Sequence, residues 1–74
     1  MKGNKGHPHH PDSWKFIGAE VRGHPMSDKQ RKYFEFKGLQ YGELFETPSG
    51  HIMKLGVNEG NSKPMDVTKR FKHR

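Results

Sequence analysis

The chain has 74 residues, of which 28% are hydrophobic, and a formal charge of +6. That length allows one small domain with a thin core, and the apolar fraction, well under the roughly 45–50% usual for globular chains counted with glycine, places part of the chain outside any core. With no cysteine there is no disulfide framework and no thiolate metal site, and no apolar run is long enough for a secretion signal or a membrane span, so a cytoplasmic protein is expected.

Residues 1–13 combine Gly, Lys, Asn, His and Pro without periodicity, a composition that cannot repay the entropy of ordering, so a flexible arm is expected there. Order is expected from Trp14, with Ile17, Ala19 and Val21 alternating against Gly18, Glu20 and Arg22 as in a half-buried strand. The tripeptide Gly23-His24-Pro25 then breaks it. Ser27-Asp28-Lys29-Gln30 has the form of a capping box, which predicts a helix over roughly 28–35, with Asp28 favourable in the first turn and Gly38 as a stop. Tyr33, Phe36 and Leu39 have the spacing of a core-facing helical stripe. The alternative makes residues 33–37 a strand, since aromatics suit pleated surfaces.

Thr47-Pro48-Ser49-Gly50 predicts a β-hairpin, with Pro in a type I turn and Gly at a left-handed position. Tyr41, Glu43 and Phe45 alternate with Leu44 on its first arm, and Met53, Leu55 and Val57 share a face on its second. A loop over 58–64, a short strand near Met65 and Val67, and a basic tail over 69–74 complete the order. The expected fold is α+β: a small antiparallel β-sheet or partly open barrel over 14–68, with one short helix and flexible termini. A small all-β barrel is the alternative.

The stretch GHPMSDKQRKYF, residues 23–34, resembles a short element, Gly/Asn-x-Pro-x-Ser/Thr-x-Lys/Glu-Gln-Arg-x-x-Phe, of bacteriophage-encoded proteins. The resemblance implies a phage origin and brings no site residues with it. The earlier GHPHHPDSWKF shares only its first residues and is no structural repeat.

His7, His9, His10 and His24 offer imidazoles, but without a framework that fixes four ligands, and neither metal nor cofactor is expected. Ser27, Ser49 and Ser62 are explained by caps and turns, and Glu43 and Glu46 by a surface strand, so no enzyme is expected. The positive charge attracts phosphate polymers, anionic membranes or an acidic protein face. Lys29, Arg31 and Lys32 on the helix and Lys69, Arg70, Lys72 and Arg74 on the tail are the expected phosphate contacts, helped by Lys2 and Lys5 of the arm. Tyr33 and Phe71, with Trp14, are candidates to stack on an unpaired base. The expected function is therefore a small, non-enzymatic nucleic-acid-binding protein, DNA or RNA left open, acting in the host cytoplasm if phage-encoded. The competing expectation is a protein–protein module, either a virion component or a regulator of a host enzyme such as RNA polymerase, presenting the hairpin and its flanking termini.

Overall fold

The computed structural model describes residues 10–60 and 63–71. Strands β1 Lys15–Val21, β2 His24–Met26, β3 Tyr41–Glu46, β4 Ile52–Val57 and β5 Met65–Asp66 form one antiparallel sheet in the order β2-β1-β3-β4-β5. Helix α1, Asp28–Lys37, and a helical turn α2, Thr68–Phe71, accompany it. This is the expected small α+β fold. The sheet is open, with β2 and β5 at its edges, so the barrel alternatives do not apply.

The β3–β4 hairpin follows its turn chemistry. Gly50 donates its N–H to the Thr47 carbonyl at 2.9 Å, and Gly50 takes φ 90°, a value that costs glycine little. The register Tyr41↔Val57, Glu43↔Leu55, Phe45↔Met53 then gathers those six side chains on one face, here called the front. Leu44, Lys54 and Ile52 project from the back.

Two local features depart from the sequence expectation. The Gly23-His24-Pro25 segment does not break the sheet: Val21 pairs with His24 across a two-residue loop, and β2 runs back along β1. Arg22 and Gly23 both take positive φ, 52° and 80°, as the tightest hairpin loop requires. Pro25 is tolerated because β2 is an edge strand that needs only one side's hydrogen bonds. The second feature is a bulge in β1, where Phe16 pairs with Phe45 and Gly18 with Leu44, leaving Ile17 unmatched. The bulge resets the alternation. Ala19 joins the front core, whereas Glu20, opposite Gly42, turns to the back and is buried.

Each face is covered by one helical element. On the front, Ala19, Tyr41 and Val57 form a buried cluster against which Val21, Met26 and Phe34 of α1 pack. Fully burying a side chain such as Val57 or Leu55 is worth about 1.5–3 kcal/mol. Farther along the front, Phe45 is ringed by His10, Trp14 and Phe16 at centroid distances of 4.2, 6.4 and 5.7 Å. His10, assigned by the sequence to a flexible arm, is thus packed on the sheet, because Phe45 offers it a ring. On the back, Leu44, Ile52 and Val67 form the second cluster, which carries α2. The expected tail over 69–74 therefore opens as a docked helical turn; residues 72–74 lie outside the described residues, as do residues 1–9.

Candidate nucleic-acid interface

Helix α1 begins where the capping box predicts. Gln30 donates its N–H to the Ser27 hydroxyl at 3.2 Å, and Ser27 donates its N–H to the Gln30 side-chain oxygen at 3.0 Å. Gly38, at φ 74°, closes the other end, and Leu39 donates its N–H to the Phe34 carbonyl at 2.9 Å. The helix therefore runs to Lys37, two residues beyond expectation, and residues 33–37 are not a strand.

The face that α1 turns to the sheet is not the stripe read from spacing. Phe34 meets Tyr41 edge-on at 6.1 Å and 81°. Arg31 lies over the Phe16 ring at 5.2 Å, with only 19% of its side chain exposed and its guanidinium 3.8 Å from Asp28. Beneath the helix, Tyr41 donates its hydroxyl to the buried Glu43 carboxylate at 3.5 Å, the outer limit of a hydrogen bond. Burial, reinforced by the negative charges of Glu43 and Glu35, pushes the Tyr41 phenol up to about 12, although Arg31 pulls the other way. Arg31 is a structural cation here. A guanidinium can stack on a ring face while its charge stays near a carboxylate.

With Arg31 and Phe34 turned inward, the repeat of 3.6 residues per turn sends Lys29, Lys32, Tyr33, Phe36 and Lys37 outward. All five are exposed. Phe36 is 85% exposed, which no contribution to a core explains, and Leu39 just beyond the helix is exposed as well. Tyr33, Phe36 and Leu39, expected in the core, instead sit on the solvent side, because the sheet beneath already receives Phe34. Tyr33 rests edge-on against Phe34 at 6.3 Å and 72°.

The other predicted contacts lie on the opposite face of the sheet. Lys69, Arg70 and Phe71 of α2 border a groove of ≈ 590 Å³ with Glu20, Pro25 and Leu44. Arg70 donates to the Glu20 carboxylate at 2.6 Å, and Lys54 reaches the same oxygen at 3.1 Å. The Glu20 side chain is only 5% exposed. Burial by itself would raise its pKa, but hydrogen bonds and charge from Arg70 and Lys54 outweigh that and hold the carboxyl below its ordinary range. Arg70 is thereby committed within the fold. Asp66 anchors the start of α2: it accepts from the Thr68 N–H at 2.9 Å and the Thr68 hydroxyl at 2.6 Å, and faces His51 Nδ1 at 2.9 Å. These bonds draw its carboxyl down to about 2.

Of the residues expected to bind nucleic acid, the structure brings together Lys29, Lys32 and Tyr33, and holds Arg31 beneath them. It places Lys69, Arg70 and Phe71 on the far side, and Lys72 and Arg74 fall outside the described residues, as do Lys2 and Lys5. Trp14 packs beside Phe45. Lys37 and Phe36 were not expected as site residues from the sequence. Their helical spacing from Lys29 and Lys32 was the available signal; Phe36 was assigned instead to a core stripe, and Lys37 to the helix end before Gly38.

Among the described residues, no three His, Asp or Glu side chains cluster to hold a metal ion, and no helix is long and apolar enough to cross a membrane. His51 is oriented by Asp66, but Thr47 and Ser49 bond each other through their hydroxyls at 2.9 Å in the hairpin turn. That network ties the turn to β5 and α2. No family model, curated protein or solved structure matches the chain.

Proposed function

We propose that this is a small, non-enzymatic nucleic-acid-binding protein whose contact surface is the outward face of α1. The carrying observation is that Lys29, Lys32 and Lys37 surround the exposed rings of Tyr33 and Phe36 on one rigid helix capped at both ends. Lysines displace counterions from phosphates, while aromatic rings offer area to bases. The net charge of +6 adds long-range attraction. Lys69 lies across the sheet from α1, so it serves a second contact or long-range steering in this reading. The phage origin implied by residues 23–34 is consistent with such a role.

Replacing Lys29, Lys32 and Lys37 together by Gln tests the reading. Affinity for a nucleic-acid oligomer should fall, and the slope of log affinity against log salt should flatten by roughly 0.7–0.9 for each phosphate that is no longer neutralised. An unchanged slope in the triple variant overturns it.

A further inference from the structure

Resting on the nucleic-acid reading, we infer that the bound form is a single strand whose unpaired bases stack on Tyr33 and Phe36. Phe36 stands near the middle of the lysine-bearing face, with Lys29 and Lys32 one turn or more before it and Lys37 beside it. A surface built only for duplex phosphates gains nothing from a bare phenyl ring at that point, because paired bases keep their faces hidden within the stack. An unpaired strand carries a flat aromatic face and an anionic phosphate on every nucleotide. Rings interleaved with lysines match that alternation.

The platform is also braced. Tyr41 supports Phe34 at 6.1 Å, and Phe34 supports Tyr33 at 6.3 Å, each edge-to-face, so three rings form a continuous path from the buried front core to the surface. Such bracing limits the side-chain freedom that Tyr33 must surrender when a base arrives. Tyr33 and Phe36, three positions apart, lie on adjoining turns roughly 5–6 Å from Cβ to Cβ, so two bases separated from each other can each meet one ring. Every base has such a face, and the expected preference is for strandedness over sequence.

The test compares a labelled oligothymidylate of roughly 12 nucleotides with a duplex of equal length, by fluorescence anisotropy at low salt. Wild type should bind the single strand more tightly. Phe36→Leu and Tyr33→Leu should each weaken single-strand binding about 10-fold, leave duplex binding within about 2-fold, and leave the salt slope unchanged. Both rings are exposed, so circular dichroism should show each variant folded. Equal affinity of wild type for the two forms, with neither Leu variant altering single-strand binding, overturns the stacking inference while leaving the nucleic-acid reading in place. Binding to neither oligonucleotide, with an acidic peptide captured in a Phe36-dependent way, overturns both and assigns the face to a protein partner.

Discussion

The Arg70 guanidinium meets the Glu20 carboxylate at 2.6 Å across fifty positions of sequence, joining the end of the chain to the second strand of the sheet order. Glu20 is buried because the β1 bulge turns it to the back face, and a buried carboxylate is tolerated only with partners. Arg70 and Lys54 are those partners. The contact makes a docked element of a segment whose composition suggests a tail.

Arg70→Gln should therefore lower stability by roughly 1–2 kcal/mol, less than the about 3–5 kcal/mol of a fully buried pair because Arg70 is half exposed. Urea denaturation of Arg70→Gln, Glu20→Gln and the double variant measures it. A positive coupling between the two sites is expected, since either single change leaves one group without its partner. Additive losses would contradict the pairing. For the same reason, neutralising Arg70 is a poor test of nucleic-acid binding.

Acid should release α2. Asp66 and Glu20 both have carboxyls held below their ordinary values, so the folded state binds fewer protons than the unfolded state. Their stabilisation is complete above the unfolded values of 3.8 and 4.5 and is lost as pH falls through the folded ones, about 2 for Asp66. The protection of the Thr68 and Val67 amides, relative to their intrinsic exchange at each pH, should fall over that window. In Asp66→Asn the Thr68 amide should be less protected at neutral pH and show a smaller change on acidification.

The sequence displays some of this fold plainly and hides the rest for identifiable reasons. Thr47-Pro48-Ser49-Gly50 and Ser27 with Gln30 encode local hydrogen bonds, and local bonds are legible because their partners lie within a few residues. The β2 strand was obscured because its loop pairs Arg22 with Gly23, a less familiar choice than Asn-Gly, and because Pro25 suggests interruption. The bulge at Ile17 leaves little trace in the alternation, yet it decides that Glu20 is buried. The orientation of α1 was equally hidden. Phe34 competes with Tyr33 and Phe36 for the inward side, and only the sheet surface offered by Tyr41, Ala19 and Val57 decides between them. The described residues expected to contact nucleic acid split across the sheet because net charge along a chain carries no information about faces.

Tyr41 should titrate late. In Tyr33→Phe, Tyr41 is the sole tyrosine, so the phenolate absorbance reports it alone. Its midpoint should fall at about 12 in place of 10.0, because burial and the carboxylates of Glu43 and Glu35 disfavour the phenolate. The folded pKa is the higher one, so the associated stability is complete below 10.0 and is lost as pH rises towards about 12. A midpoint near 10.0 in the folded variant would show Tyr41 to be more open to water than its packing implies.

Gly42 should resist enlargement even though it lies in a regular strand. Lys54 crosses the back of β3 on its way to Glu20, and a Cβ on Gly42 would meet the Lys54 side-chain methylenes. The lysine is flexible, so Gly42→Ala should not block folding; it should push Lys54 aside and leave Glu20 to Arg70 alone. The expected cost is about 1 kcal/mol, with the Glu20 carboxyl titrating closer to its ordinary 4.5. Placing the same change in a Lys54→Ala background separates this mechanism from backbone strain. With the lysine stem already gone, Gly42→Ala should cost little, whereas an undiminished cost would mean that the strand itself rejects the side chain.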